Sequence, residues 1–566
     1  MTRMTGARCL TDMLAGYGVT HIFMVPAVLR RSMAEMERRT SIDILHTHGE
    51  KAAAYMADGF ARASGRVGVC MAQQTGALNL AAGLRDAYLA RAPIVAFTGG
   101  SRPELQYRGL YQEAEDLKAF DPYVKFNAAI NHVERFPDLV RQAFRAATTG
   151  NPGPVHLQVW GQEGEIDREE GDLDTVVEPR HASVTPFRPL ADPALLQTAT
   201  RELQKALRPV IIAGGGVHHS GAGAALIAFA ERAGIPIAMS MNGRDQVPDN
   251  HPLAIGVVGT YSRRNANQAV AAADLVIFAG SSAGSMVTNF WRLPKPNTKT
   301  IQIDIDGAAI GRNYPTEIGI QADIRETFKA WLPLVPETLA ARFSDWRKAV
   351  ADNKESWFRE RAEKLASDAV PIRPERICSE LTRLLPDDGI LCVDTGHAGM
   401  WMSSMFDIRT NTQTYIRSAG HLGWAFPAGL GAQCACPDRP VITFTGDLGL
   451  WYHIAEIETA VRKNIPAVTI VNNNRSGNQS MRGFSIAYEG KPTEKSRELW
   501  VHTEVDFARI AENMGAVGMR VDKPAHLAPA IEKAVSLRKP VVIDVVTDIE
   551  ATAPLAWDDS GWVQKY

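Results

Sequence analysis

Short apolar runs rich in β-branched residues alternate along this chain with longer stretches in which apolar positions recur every three or four residues. The short runs lie at 42–45, 67–71, 93–98 and 154–159, then at 300–304 and in Pro209-Val-Ile-Ile-Ala and Asp274-Leu-Val-Ile-Phe, and finally at 440–444, 467–471 and 539–544. Runs of this length and composition read as buried strands. The stretches 50–63, 77–90, 137–148 and 525–537 carry their apolar residues at helical spacing and read as amphipathic helices. Two strands joined through a helix must run parallel. The pattern therefore predicts an α/β protein built from open parallel sheets.

With 566 residues the chain is too long for one core, since cores stop growing at roughly 250–300 residues. A first α/β segment spans 1–165. Residues 166–189, acidic and then rich in Pro and Thr, read as a linker. A second α/β segment covers 190–345, and a charged helical stretch at about 337–367 leads to a third at 370–550, followed by a tail at 551–566. The first and third segments close alike, helix 137–148 with strand 153–159 and helix 525–537 with the strand near 540. This hints at two copies of one plan around a different middle domain.

Composition narrows the class. The chain is 45% hydrophobic and 22% charged, with a net charge of −2, which gives no electrostatic reason to expect nucleic acid or an anionic membrane as partner. No apolar run reaches the length of a membrane span. The N-terminus lacks a signal-peptide core and reads instead as an amphipathic helix carrying Leu10, Met13, Leu14 and Tyr17. The six cysteines form no CxxC pair and no zinc spacing, which fits free thiols in a reducing cytoplasm.

The stretch GDLGLWYHIAEIETAVRKNIPAVTIVNNN at 446–474 carries the first chemical signal. It follows the strand at 440–444, continues through a helix with Ile454, Ile457 and Val461 on one face, and ends in the strand at 467–471. Asp447 and Asn474 thus leave the carboxyl ends of two parallel strands, the edge at which open α/β sheets bind ligands. Two hard oxygen donors are too few to cage a metal. They suit Mg²⁺ that completes its shell with phosphate and water.

Four features together resemble the thiamine-diphosphate-dependent enzymes. Gly446-Asp447…Asn473-Asn474 resembles their diphosphate motif, with Leu448 where a small residue is usual. His46-Thr-His-Gly-Glu50-Lys-Ala-Ala-Ala-Tyr resembles their glutamate segment, with Gly49 in place of the usual His. Leu110-Tyr-Gln112-Glu113 is similar to the Phe-Gln-Glu of acetolactate synthases and 2-hydroxyacyl-CoA lyases. Gly420-His-Leu422-Gly-Trp-Ala-Phe-Pro-Ala428 is similar to the cofactor-cradling loop of benzoylformate decarboxylase and acetolactate synthase.

The resemblance implies three open parallel-sheet domains, pyrimidine-binding, middle Rossmann-like and diphosphate-binding, in a homodimer or homotetramer whose active sites two chains share. It implies thiamine diphosphate and Mg²⁺ as cofactors, the metal held by Asp447, Asn474 and the main-chain carbonyl of Ser476. Leu448 and Gly449 belong to the same motif. Glu50 would hydrogen-bond the pyrimidine ring, the Gly420 carbonyl would accept from its amino group, and Leu422 would wedge the cofactor into its bent form. Gln112 is the best candidate for a polar group near the reacting carbon. By their position after the metal loop, Asn478, Gln479, Arg482 and the charged stretch 489–497 are expected to line or cover the substrate entrance, with Glu494 within it as a proton-transfer group.

The substrate is less legible. Where acetolactate synthases carry Arg-Phe-Asp-Asp-Arg, this chain has Gly280-Ser-Ser-Ala-Gly, and Gln73-Gln-Thr-Gly76 replaces their Ser-Gly-Pro-Gly. The first departure argues against FAD. Both argue against a biosynthetic acetolactate synthase. The Tyr111-Gln-Glu and Lys125-Phe126 segments, which resemble those of 2-hydroxyacyl-CoA lyases, lead to the expectation of such a lyase releasing formyl-CoA, with ADP or CoA in the middle domain near Gly214-Gly-Gly216, Arg263, Arg264, Asp304 and Asp306. The alternative is a 2-oxo acid decarboxylase or carboligase of the acetolactate synthase type.

Overall fold

The computed structural model describes residues 1–557. Three six-stranded sheets, parallel throughout, follow one another along the chain. The fold is therefore α/β, with three open parallel-sheet domains.

In the first sheet the spatial order is Asp43–His46, His21–Met24, Gly68–Ala72, Ile94–Gly100, Val155–Trp160, Asn127–Ile130. In chain order this is 2-1-3-4-6-5. The third sheet runs Thr414–Arg417, Ile390–Val393, Val441–Gly446, Val468–Asn473, Val541–Val546, Val517–Val521, again 2-1-3-4-6-5. The outer sheets thus share one topology, of which only their similar closing helix and strand were visible in the sequence. The middle sheet differs. Its order, Ala254–Val257, Ile237–Met239, Pro209–Ala213, Leu275–Ala279, Lys299–Asp304, Ile318–Gln321, is the 3-2-1-4-5-6 of the doubly wound dinucleotide-binding fold.

The helices fall where apolar spacing put them. Gly6–Gly16 buries Leu10, Met13 and Leu14, and Glu50–Ser64, Ala77–Ala90, Phe136–Thr148 and Leu527–Leu537 flank their sheets. Two segments differ from the sequence reading. Residues 170–173, inside the expected linker, form an antiparallel pair with Thr2–Thr5. The helix expected after the Gly-Asp breaks in two, Asp447–Trp451 and Glu456–Arg462, because the amides of His453 and Glu456 bond three residues back and make a turn between them.

The first and third domains share one apolar core, with Phe23, Leu80 and Leu84 packed in the same cluster as Phe426, Leu430, Leu450 and Ile457. Its centre is the crossing of helix Glu50–Ser64 with helix Ala425–Ala435. A methyl on Gly59 would lie 1.9 Å from the Ala428 carbonyl oxygen, and one on Gly431 1.9 Å from that of Met56. Glycine is required here because backbone meets backbone. The middle domain is tied to the third by a buried charge cluster. Arg244 and Arg263 both reach Asp249, at 2.6 and 2.9 Å, and Arg263 and Arg361 reach Asp407, at 2.7 and 2.6 Å. Of the tail, residues 551–557 are described, and the Trp557 carbonyl accepts from Asn267 of the middle domain. The rest of the tail lies outside the described residues. No helix among them is long and apolar enough to cross a membrane.

Candidate active site

The strands Val441–Gly446 and Val468–Asn473 are adjacent and parallel, with Gly446 beside Asn472. The turn after each strand therefore lies at the same edge. Asp447 begins the short helix after the first and is 3% exposed. Its Oδ1 accepts from the Leu448 amide at 2.6 Å and its Oδ2 from the Ser476 amide at 3.0 Å. The Asn474 side-chain oxygen accepts from that same Ser476 amide at 3.1 Å. Asp447, Asn474 and Ser476 are thus brought together. Burial pushes the Asp447 carboxyl up to about 6, a cost that a cation at this carboxylate would offset. Among the described residues no group of three or more His, Cys, Asp or Glu side chains could by itself hold a metal. A carboxylate, a carboxamide oxygen and a carbonyl are a hard donor set that suits Mg²⁺ carrying a diphosphate, so the residues fit this part of thiamine diphosphate.

Asn473 faces the other way, as alternation along a strand requires. Its amide donates to Asp544 at 2.9 Å and to the Val505 carbonyl at 3.0 Å, a structural link the motif alone did not reveal. Leu448 is half-buried and lies against Gly477, so the larger residue is accommodated. Gly449 packs beneath Asp394 and Thr445, where a methyl would meet their side chains at 2.7 and 2.4 Å.

Glu50 opens its helix with Gly49 extended before it. The carboxylate is half-buried, accepts from Asn79 at 3.2 Å, and occupies the space in which a side chain on Gly76 would sit. Gln112 adopts a left-handed φ of 63° and accepts from Gln73 at 3.0 Å. The segment 73–76 therefore reaches from Gln112 to Glu50. Sequence reading had treated that segment only as a departure from a motif, and Gln73 and Asn79 were missed as partners.

Gly420 has φ +153° and open space around it, and Leu422 is half-buried in the same loop. Glu494 is not brought to these groups. It is exposed at the start of the helix Glu494–Arg497 and shares no hydrogen bond with them among the described residues.

A cavity of about 430 Å³ sits at the carboxyl edge of the middle sheet. There Gly214–Gly216 meet Gly280, with backbones too close for any side chain on Gly214. This is the topological switch point between the first and fourth strands. Asp304, Asp306 and Arg312 line it, with Arg91 and Asn151 from the first domain and Arg417 and Ala419 from the third. Burial raises Asp304 to about 6. Arg263 and Arg264 are not there. Arg263 is consumed by the buried cluster, and Arg264 pairs with Glu360 at 2.6 Å, because both stand at the start of helix Arg264–Ala272, which packs on the long helix Ser344–Leu365.

Comparison with known proteins agrees with this architecture. Family models described as thiamine pyrophosphate enzyme match three parts of the chain: the N-terminal TPP binding domain at 4–120, the central domain at 196–331 and the C-terminal TPP binding domain at 394–545. The chain belongs to the thiamine pyrophosphate enzymes. It is 32% identical to a probable acetolactate synthase large subunit of Methanocaldococcus jannaschii, over 98% of this chain and 93% of that one. It is 29% identical to the acetolactate synthase large subunit of Corynebacterium glutamicum (97% and 88%) and 28% identical to a putative thiamine pyrophosphate-containing protein, YdaP, of Bacillus subtilis (98% and 93%).

Proposed function

We propose that this thiamine-diphosphate-dependent enzyme cleaves a 2-oxo acid next to its carbonyl and transfers the acyl fragment, a decarboxylase or carboligase of the acetolactate synthase type. The observation that carries the reading is the convergence of Asp447, Asn474 and Ser476 at one sheet edge, in a chain that aligns almost end to end with proteins named acetolactate synthase large subunit. Those relatives overturn the order of preference reached from sequence, where acyl-CoA cleavage stood first. The two motif departures set this chain apart from the biosynthetic acetolactate synthases without pointing to a CoA substrate.

Thiamine diphosphate, when bound, supplies the electron sink for breaking a bond beside a carbonyl. The chain's own residues bind, orient and move protons. Asp447, Asn474 and the Ser476 carbonyl are the residues that would hold Mg²⁺ for the diphosphate. Leu422 and the Gly420 carbonyl would orient the aminopyrimidine, and Glu50, kept in place by Asn79, would hold a proton at a pyrimidine ring nitrogen. Gln112, oriented by Gln73, positions the oxygen of the substrate's carbonyl. Two chains complete each site in this reading, and the exposed rings of Tyr107 and Tyr111 beside Gln112 are surface for the partner. The cavity in the middle domain is read as a site for ADP or the adenosine end of CoA. Asp304 and Asp306 line it and offer acceptors for ribose hydroxyls, and Arg91, Arg312 and Arg417 offer charge for phosphates. The same segment has Gly280-Ser-Ser-Ala-Gly where acetolactate synthases carry Arg-Phe-Asp-Asp-Arg, the departure that argues against FAD.

Supplying pyruvate and a 2-hydroxyacyl-CoA separately to the Mg²⁺-loaded holoenzyme decides the reaction. The proposal expects CO₂ from the 2-oxo acid and no formyl-CoA from the thioester. Formyl-CoA without CO₂ would reverse it.

A further inference from the structure

The loop that carries Gly420 and Leu422 is held by a residue that no motif singled out. Asp86 is fully buried near the end of helix Ala77–Ala90 in the first domain. Its carboxylate accepts from the Ala419 amide at 2.9 Å and from the His421 amide at 3.0 Å, and the Ser418 hydroxyl lies 3.2 Å away. That hydroxyl in turn accepts from the Gly420 amide at 3.1 Å and sits 2.8 Å from the His421 carbonyl. Every amide from 419 to 421 is thus fixed, directly or through Ser418, by one carboxylate. The His421 ring adds a second tie. Arg85 donates to its Nε2 at 3.0 Å, which leaves the proton on Nδ1, 2.8 Å from the Tyr55 hydroxyl. Burial keeps this imidazole below its ordinary range, consistent with a neutral ring that accepts from Arg85.

A loop of this kind has little else to define it. Gly420, at φ +153°, is exposed, with nothing within 4 Å of where a Cβ would be. Packing from above does not set the direction of its carbonyl, so the hydrogen bonds from below must. Charge-assisted bonds onto a buried carboxylate are stronger than neutral ones and geometrically selective. The helix that supplies Asp86 also supplies, two turns earlier, the Asn79 that holds Glu50. Seven residues of helix separate them by about 10 Å, so one rigid element sets both the acid and the cradle.

We propose that Asp86 is a positioning residue for the reaction, fixing the loop 418–422 so that the Gly420 carbonyl and Leu422 meet the aminopyrimidine of thiamine diphosphate. The proposal rests on the reading above that this loop cradles the cofactor. A carboxylate that served only the fold would affect stability and leave the cofactor's affinity alone.

The test is Asp86→Asn, which keeps the shape but turns one acceptor into a donor facing an amide. In calorimetric titration of thiamine diphosphate at saturating Mg²⁺, Kd should rise about tenfold or more, the loss expected for a charge-assisted bond. The near-ultraviolet circular dichroism of the bound cofactor should change, and kcat should fall while the KM for the 2-oxo acid holds. Wild-type Kd and dichroism would overturn the proposal, whatever happens to Tm. Should Asp86→Asn not fold, Ser418→Ala and Tyr55→Phe each remove one tie and should raise Kd by smaller factors; no change in either would also overturn it. Leu422→Ala is the control. If it leaves Kd and dichroism unaltered, the cradle reading falls and the proposal with it. If it alters them while Asp86→Asn does not, the role of Asp86 alone is refuted.

Discussion

Glu50 shows what single residues contribute. As a lone acid at a helix start it would be an ordinary partner of the helix dipole. The structure gives it more definition than that: a donor in Asn79, a glycine kept bare at position 76 to make room, and an extended Gly49 that turns the chain into the helix. Replacing it by Gln keeps size and hydrogen bonding but removes the carboxyl proposed to hold a proton. Glu50→Gln should therefore still bind thiamine diphosphate and still gain Tm from it, while kcat falls by about 10²–10⁴-fold. Turnover measured beside the ligand-induced rise in Tm checks this, and near-wild-type turnover would remove Glu50 from the mechanism. Asp447 and Asn474 were legible from spacing alone, because the strand–helix–strand unit puts both at one edge. The orienting roles of Asn79, Gln73 and Asp86 were not legible, since each depends on a contact between segments that no local pattern encodes.

The crossing of Glu50–Ser64 with Ala425–Ala435 is the decisive contact between elements. The small residues in both helices, Ala52, Ala53, Ala54, Ala428, Gly429 and Ala432, allow backbones to approach closely and bury fully. Each helix also leads out of a segment proposed to be functional, Glu50 on one and the Gly420 loop before the other. Gly59→Ala would drive a methyl into the Ala428 carbonyl. We expect it to destabilise the protein by about 1–3 kcal/mol, the usual cost of overpacking, seen as a lower urea midpoint. An unchanged midpoint would mean that the helices slide apart freely. The sequence foretold both helices but not that they meet, because amphipathic spacing identifies a buried face without naming what covers it.

The molecule as a whole carries buried ionisable groups whose effects on stability have opposite signs. His156 is fully buried between the Thr98 hydroxyl and the Asn127 side-chain oxygen, each at 2.8 Å, with Phe120 stacked 3.6 Å away. Burial pushes its pKa down to about 3. In the unfolded chain a histidine titrates near 6.5. Between these values the unfolded state binds more protons, so acid costs stability, by up to about 1.4 kcal/mol per pH unit for this one group. Asp394, raised by burial to about 7, acts the other way: over its own window the folded state binds more protons, and stability falls as pH rises. Comparing wild type with His156→Gln cancels the aspartate's contribution. The difference in urea midpoint should shift steadily against wild type as pH drops from 6.5 to about 4.5. A difference independent of pH would mean that His156 is protonated in the fold.

Sequence by itself determined the class of fold and the carboxyl-edge placement of Asp447 and Asn474, because periodicity and spacing are local properties that parallel strands translate directly into geometry; the kind of cofactor followed from the family resemblance of four motifs. Tertiary structure alone decided that Arg263 is a buried tie between domains instead of a nucleotide contact, that Glu494 faces solvent, and that Asp86 reaches more than 300 residues along the chain to hold the Gly420 loop. Which charge meets which is a matter of packing between distant segments, and such meetings leave no periodic trace in either segment.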